Sequence, residues 1–354
     1  MKLNLKYNNF FDLINLEFKA YYPLNGFVSK KDFLSISKKY KLINNKFFPM
    51  PVFIGISSKL YNLYKKQKTL EAYYKSKKVC DLKIKSFYKI DKKNIGKLIF
   101  KTKSLQHPGL KEFLKSGEYN IECKVIKFNK KIMTNLNFSY PKKLKRKFKK
   151  YNFNSIVGFH TRNAPHRAHE WIHNYGLKKC DALLIQPMIG QFKKNEYKEK
   201  AIIETNRKLV NTVYKKKNII FSIFNSYPRY AGPREALFHA LIRKNYGCTH
   251  FLVGRDHAGV GKYYQKYESQ KICKRYENKI KIKIISFKEP YLCDKCKNII
   301  NSKCIKCKNS KIKFVKGTLI RNMLSKSIAI PSHYMRKEIS KILKKNSIIK
   351  KFSK

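Results

Sequence analysis

The segment VGFHTRNAPHRAHEWIHNYG, residues 157–176, holds four of the chain's nine histidines and two arginines. Its apolar opening, SIVGF, reads as a strand that ends at Phe159. A polar loop follows, and Pro165 precedes a helix whose first turns carry His166 and His169. An anion at that helix start meets free backbone N–H groups and the positive end of the helix dipole. Three-residue spacing puts both imidazoles on one helix face. Arg162 can fork two hydrogen bonds to an oxyanion, and Asn163 can donate to another. The set supplies no nucleophile, so it suits phosphoryl or nucleotidyl transfer, in which positioning and charge neutralisation carry the catalysis. One such histidine alone would read as a satisfied surface residue; the full set at a strand-to-helix junction reads as a site.

A second loop, GRDHAGVG at 254–261, also follows an apolar strand and again combines Arg, His and Gly. Its glycines permit close backbone approach to phosphate, Arg255 brings charge, and His257 can stack on a base or donate a hydrogen bond. GVGK is not a phosphate-binding P-loop, because Asp256 stands where the first Gly is required and Tyr263 follows Lys262. Further on, Cys293, Cys296, Cys304 and Cys307 form two Cys-x2-Cys knuckles separated by seven residues. That spacing predicts a closed tetrahedral thiolate site for structural zinc, with disulfides or idle thiols as the alternative.

These loops need elements to hold them. From Ser155 onward strands alternate with helices: SIVGF, then the HRAHEWIHNYGL helix; DALLIQP, then a long amphipathic helix in NEYKEKAIIETNRKLVNTVYKK; NIIFSIF, then REALFHALIRKNYG ended by Gly247; then CTHFLVG and KIKIISF. The alternation predicts a parallel sheet covered by helices, with ligands beyond the carboxyl ends of its strands. The informative loops are then HTRNAP, PMIGQFKKN, NSYPRYAGP and GRDHAGVG. Residues 1–150 show shorter mixed segments, FFPMPVFIGIS, IGKLIFKTKS, HPGLKEFLKSG and YNIECKVIKF, and the alternation in IECKVIKF predicts an antiparallel or mixed sheet. PKKLKRKFKKYNFN at 141–154 is either a basic linker or a solvated helix. RKEISKILKK closes the chain as a helix.

The 354 residues are 43% hydrophobic and 14% aromatic, a globular composition long enough for two or three domains. The net charge of +61 suggests a polyanionic partner, yet the excess is mostly Lys spread over the whole length, which points to solvated faces. No apolar run reaches the roughly 18 residues of a spanning helix, and the N-terminus lacks a signal-peptide pattern, so a cytoplasmic protein is expected. Nine cysteines, an odd number with four in one cluster, suit a reduced compartment and a metal. Cys80, Cys123, Cys180, Cys248 and Cys273 read as small buried hydrophobes.

TRNAPHRAHE, RYAGPREALFHALIRKNYGCTHFLVGRDHAGVG, KGTLIRNML and PSHYMRKEI together resemble the ATP sulfurylase family, from about Ser155 to the C-terminus, with HPG at 107–109 a weaker echo. The resemblance implies a β-rich, PUA-like domain at 1–150, an α/β nucleotidylyltransferase catalytic domain at 151–290 and a zinc-bearing subdomain at 291–354. Its reaction joins ATP and sulfate into adenosine 5'-phosphosulfate and diphosphate, sulfate attacking the α-phosphorus directly and magnesium arriving with the nucleotide. Thr161, Arg162 and Asn163 match the family's active-site triplet, Arg162 for sulfate and Asn163 for phosphates. His166 and His169 match the pair that steadies the α,β-phosphates. Gly254, Arg255, Asp256 and His257 match the ATP loop, Ala258 a sulfate contact, and main-chain atoms near Phe314 an adenine contact.

Two positions depart from the family pattern. His160 replaces the Gln that precedes TRN and helps to bind sulfate, so sulfate affinity is expected to weaken as pH rises through its titration. Lys316 stands where Ser precedes GT, on the adenine side. The resemblance further implies a homo-oligomer. Without a Walker A sequence or a domain after Lys354, no fused adenylylsulfate kinase is expected. The rival readings are another nucleotidylyltransferase with the same HxxH helix, which need not carry RYAGPREAL or GRDHAG, and a nucleic-acid-binding protein, for which charge, PUA-like front end and zinc knuckle speak. Nucleic-acid binding is expected to be incidental electrostatics.

Overall fold

The computed structural model describes residues 1–135, 138–190, 195–302, 304, 307, 311–343 and 347–348. Its first elements are β1 (Lys2–Asn4), α1 (Tyr7–Glu17), α2 (Lys30–Lys39), β2 (Ile54–Ile56), α3 (Ser58–Tyr64), β3 (Thr69–Tyr74), β4 (Lys77–Tyr88), α4 (Lys92–Phe100), α5 (Pro108–Leu114) and β5 (Tyr119–Ile126). A 3-10 turn at Lys130–Asn135 follows. Next come α6 (Pro141–Lys150), β6 (Ile156–Thr161), α7 (Arg167–Leu177), β7 (Ala182–Ile189), α8 (Glu199–Thr212), β8 (Ile219–Phe221) and β9 (Phe224–Asn225). The last group is α9 (Pro233–Tyr246), β10 (His250–Val253), α10 (Glu268–Ile280), β11 (Lys283–Ser286), β12 (Tyr291–Cys293), β13 (Ile299–Ile300), β14 (Ile312–Lys313), α11 (Gly317–Ser325) and α12 (Lys337–Ser340).

Internal contacts divide the chain into two compact units. One comprises Met1–Lys147, Pro228–Gly247 and Asp256–Ile282; the other comprises Phe148–Tyr227, Cys248–Arg255 and Lys283–Lys354. They interleave along the sequence, whereas the expected boundaries at residues 150 and 290 are sequential.

The first unit is built on a mixed sheet of order β1-β3-β4-β5-β2, in which only β1 and β3 run parallel. In β5, Ile121 and Cys123 face the core while Lys124 is exposed, the pattern of a sheet with one wet face. IGKLIF and HPGLKEFL, read above among the short mixed segments, are helices α4 and α5. Asp91 caps the first through Asn94 N, and the His107 ring caps the second through Leu110 N at 3.1 Å with Pro108 in its first turn. Helices α9 and α10 also pack within this unit. Arg234 of α9 donates to the carbonyls of Ile36, Pro49 and Ser37, and Asn245 donates to those of Ala20 and Tyr22. A buried guanidinium must find such acceptors, which ties the helix to residues far away in sequence.

The second unit holds the sheet β11-β10-β6-β7-β8, parallel throughout. Every residue of β7 is buried, as a strand covered on both faces requires. NIIFSIF forms two short strands instead of one. Pro187 has no N–H for the ladder, and β7 pairs β8 only through Ile185 and β9 only from Met188. Helix α7 lies close on the sheet at Gly176, where a Cβ would stand 3.0 Å from Leu252 and 3.1 Å from Val157. The chain runs from β6 to β7 and β8 on one side, then returns to β10 and β11 on the other. The strand order therefore reverses between β6 and β10.

The remaining segments agree with the periodicity. LKRKFKKY lies in helix α6, with Leu144 and Phe148 buried and the lysines between them exposed. The C-terminal cysteines sit on and beside the small antiparallel sheet β13-β12-β14. The closing helix is the short α12; Lys344 and Lys345 of RKEISKILKK, and Gln191–Lys194 of the PMIGQFKKN loop, lie outside the described residues. No helix among the described residues is long and apolar enough to cross a membrane.

Candidate active site

Two of the anticipated loops leave the sheet at its switch point, HTRNAP from the carboxyl end of β6 and Gly254–Arg255 from that of the adjacent β10. Ligands collect at such a point because helices and loops diverge there. In the first loop Thr161 is buried, and its Oγ1 accepts from Asn163 N at 3.1 Å, which folds the loop back on its strand. Arg162 is 25% exposed, and its NH1 lies 3.5 Å from Glu196 Oε1. Asn163 Oδ1 accepts from Arg321 NH1 of α11 at 2.7 Å. That contact commits the amide oxygen and leaves the Nδ2 hydrogens to donate elsewhere.

His166 is the N-cap residue of α7, and no side chain caps this helix. The rings of His166 and His169 stack at 3.8 Å with planes 19° apart, and Phe159 packs edge-on against His169 at 5.4 Å. The Nδ1 atoms of both imidazoles are out of water and have no hydrogen-bond partner among the described residues. Burial holds His166 well below the ordinary imidazole pKa, helped by the neighbouring His169, His173 and Arg321, and pushes His169 down to about 4. Both rings are therefore neutral at pH 7. His173, one turn further along, is fully buried and shares a 2.9 Å hydrogen bond between Nδ1 and the Tyr214 hydroxyl, a structural role. Glu170 fastens the helix start, accepting from Arg167 NH1 at 3.0 Å and from Arg336 Nε at 2.8 Å.

His160 is half-buried near the end of β6, and its register partner on β7 is the buried Gln186. Arg255 is paired with Glu289. Phe314 follows β14, 40% exposed, with its ring 6.2 Å from Tyr291.

The rest of the second loop belongs to the other compact unit. Asp256 is exposed, and its carbonyl accepts from Gly259 N at 3.1 Å. The His257 carbonyl accepts from Ser269 Oγ at 2.9 Å, and its ring Nε2 lies 3.0 Å from Nδ1 of His239. Ala258 takes a left-handed φ of 58°, which is costly for a side chain with a Cβ and is the kind of strain found at ligand sites. Its carbonyl accepts from Gly232 N at 3.2 Å. His107 and Gly109 of the weaker HPG echo are structural. His107 Nε2 meets the Tyr264 hydroxyl at 3.1 Å, and a Cβ on Gly109 would stand 2.1 Å from the Arg229 carbonyl.

The four clustered cysteines place their sulfurs within 4.8 Å of one another, Cys296 and Cys304 3.7 Å apart. A tetrahedral ion with bonds of about 2.3 Å to sulfur sets its ligands about 3.8 Å apart, so the group can hold a metal ion. No disulfide links these thiols, and Cys80, Cys123, Cys180, Cys248 and Cys273 are buried, free cysteines.

Sequence reading missed Arg321, Glu196, Glu289, Glu235 and His239. Arg321, Glu235 and His239 lie inside segments singled out above, KGTLIRNML and RYAGPREALFHAL, and only their partners in space reveal what they hold.

Comparison with known proteins supplies the context. A family model described as ATP-sulfurylase matches residues 137–346, and one described as a PUA-like domain matches residues 1–130. The sulfate adenylyltransferase of Carboxydothermus hydrogenoformans is 33% identical over 350 residues, 98% of this chain and 92% of its own length. That of Thermococcus onnurineus is 32% identical over 335 residues, covering 94% and 87%, and that of Ignicoccus hospitalis 30% identical over 334, also covering 94% and 87%. Among solved structures, a hexameric APS kinase from Thiobacillus denitrificans superposes with a TM-score of 0.71 at 15% identity, a likeness of fold alone. The alignment takes in 96% of this chain and 62% of that one.

Proposed function

The chain belongs to the ATP-sulfurylase family and catalyses that family's reaction, ATP plus sulfate giving adenosine 5'-phosphosulfate and diphosphate, and we propose which of its residues carry the reaction. The observation that carries the proposal is the stacked pair His166 and His169, neutral and with Nδ1 atoms that are out of water and that no group among the described residues satisfies. A buried polar atom calls for a partner, and a ligand phosphate at the start of α7 can supply it.

Sulfate is fully ionised at neutral pH, so the site must hold two anions together against their repulsion, and there is no proton for a general base to remove. Arg162, His160 and the backbone at Ala258 bind sulfate. A sulfate oxygen attacks the α-phosphorus, forming the new P–O bond as the bond to the bridging oxygen of the β-phosphate breaks. Thr161 shapes the loop. Asn163, oriented by Arg321, donates to the phosphates. His166 and His169 take up the negative charge that gathers on departing diphosphate; their positions are fixed beforehand, so no reorganisation is needed as the bond breaks. Gly254, Arg255, Asp256 and His257 bind ATP, and the main chain near Phe314 meets adenine. Magnesium enters as part of the nucleotide substrate, screening its phosphates.

Cys293, Cys296, Cys304 and Cys307 would hold a structural zinc, which would cross-link the small β13-β12-β14 sheet through their four thiolates. Cys293→Ser should release it, read by metal analysis; full retention contradicts the assignment. The domain limits we propose remain 1–150, 151–290 and 291–354, in a cytoplasmic homo-oligomer that activates sulfate or forms ATP from adenylylsulfate and diphosphate. Nucleic-acid binding is incidental to charge. The test is diphosphate release from Mg-ATP with and without sulfate, and with molybdate as alternative acceptor. Release that depends on either oxyanion is expected; release indifferent to both overturns the reading.

A further inference from the structure

Ala258 takes a strained conformation that neighbouring elements hold from outside its own loop. Its φ of 58° is left-handed although it carries a Cβ, and no group among the described residues accepts its N–H. Both peptide planes that flank its Cα are fastened. In the plane before it, the His257 carbonyl accepts at 2.9 Å from Oγ of Ser269, a residue of the first turn of α10 that is 4% exposed. In the plane after it, the Ala258 carbonyl accepts from Gly232 N at 3.2 Å.

Gly232 belongs to a turn that is itself strained. Tyr230 has a φ of 59° and Gly232, the N-cap of α9, one of 51°. Tyr264 supports that turn twice. Its hydroxyl donates to the Tyr230 carbonyl at 2.9 Å, and its ring lies so close to Gly232 that a Cβ there would stand 2.6 Å from it. Burial raises the Tyr264 pKa, so the hydroxyl keeps the proton that it donates. With that proton committed, the oxygen accepts from His107 Nε2, 3.1 Å away, while His107 Nδ1 accepts from Leu110 N. The His107 ring thus bridges the start of α5 and the side chain that holds the turn.

We infer that Ser269 and Tyr264 are positioning residues for sulfate, which hold the Ala258 N–H ready by fixing the two peptide planes around it. In a trans peptide the N–H points opposite to the carbonyl, so the His257 carbonyl held at Ser269 turns the Ala258 N–H away from that side chain. The plane that follows is fixed through Gly232, and the Ala258 backbone cannot relax out of the left-handed region. A donor set in place beforehand spares the ordering cost when the oxyanion binds.

Both roles rest on the reading that the Ala258 backbone contacts sulfate, and the tests keep the two apart. Tyr264→Phe keeps the ring beside Gly232 and loses the hydroxyl. In the free enzyme labelled with nitrogen-15 glycine, that variant should exchange the Gly232 N–H with solvent about 10-fold faster. Unchanged exchange overturns the role of Tyr264, whether or not the enzyme turns over. Ser269→Ala should raise the sulfate KM about 10-fold, with kcat and the ATP KM within about 2-fold of wild type, and Ser269→Thr, which keeps the hydroxyl, should recover most of the loss. Tyr264→Phe, one bond further from Ala258, should raise the sulfate KM less. A sulfate KM that Ser269→Ala leaves in place, or a rise shared equally by the ATP KM, overturns the inference. In enzyme labelled with nitrogen-15 alanine, added sulfate should shift the Ala258 amide signal. A wild-type signal that sulfate does not move defeats the contact reading, and the exchange result still tells whether Tyr264 holds the turn.

Discussion

The histidines of α7 and those joined through α9 are both largely withdrawn from water, and they differ in what their ring nitrogens meet. His239 and His257 are held through their nitrogens, in a line that begins at Glu235. His166 and His169 are held through their faces, by stacking on each other and against Phe159, while their Nδ1 atoms meet nothing among the described residues. A group wired to a protein partner has its orientation settled before any ligand arrives. One left unpaired costs about 1–3 kcal/mol of stability, which a ligand returns on binding. The first arrangement settles a ring's orientation in advance, and the second suits a response to charge that appears only as the reaction proceeds.

The sharpest way to break this contrast is to delete each kind. His166→Ala or His169→Ala should lower kcat about 10²–10³-fold, as removal of a donor to developing charge does, with the melting temperature nearly unchanged. His173→Ala, which removes a buried ring bonded to Tyr214, should instead lower stability by about 2–3 kcal/mol. Steady-state assays beside thermal melts decide it. If the α7 pair destabilises as His173 does while sparing kcat, the division between structural and ligand-seeking nitrogens fails.

A smaller effect is expected at Asn163, a residue of the β6 loop that is wired in the manner of the α9 histidines. Arg321→Leu removes the donor that fixes its amide oxygen, leaving the amide free to turn. We expect about a 10-fold loss in kcat/KM for ATP, and Arg321→Lys, which keeps one donor, should recover part of it. No change in either variant would mean that the amide is oriented by its loop alone.

What the sequence disclosed follows the reach of each interaction. HTRNAP and GRDHAGVG are legible as loops because each is a contiguous run behind an apolar strand, and HTRNAP and Gly254–Arg255 do leave the adjacent strands β6 and β10. The parallel sheet was legible from alternation, and its one irregularity, the split of β8 from β9, follows from Pro187, whose missing N–H matters only once β7 is known to be a central strand. Helices α4 and α5 are seven to nine residues long, so their caps at Asp91 and His107 carried more signal than their periodicity. Arg321 and Asn163 lie 158 positions apart, and Arg234 seeks carbonyls nearly 200 residues away. Nothing local marks such partners, so the contacts that support these loops stayed hidden while the loops themselves did not.

The gentlest test of the contrast uses protons. Burial sets the folded-state pKa of His166 and His173 well below 6.5 and that of His169 near 4. Unfolded histidine titrates near 6.5, so below that pH the unfolded chain binds more protons than the folded one. The stability at issue is complete above about pH 6.5 and declines as pH falls, for His169 until about pH 4, at no more than about 1.4 kcal/mol per pH unit for each histidine. His169→Gln should flatten the decline measured by urea unfolding between pH 5 and 7. Saturating Mg-ATP should flatten it too, since phosphate beside the α7 pair favours the imidazolium and draws its pKa back up. His239 faces Glu235 and His257, so its contribution should be unmoved, and His239→Asn should leave the ATP-induced flattening intact. If that variant abolishes the flattening, the two histidine groups answer to the same charge, and the separation of wired from waiting nitrogens is wrong.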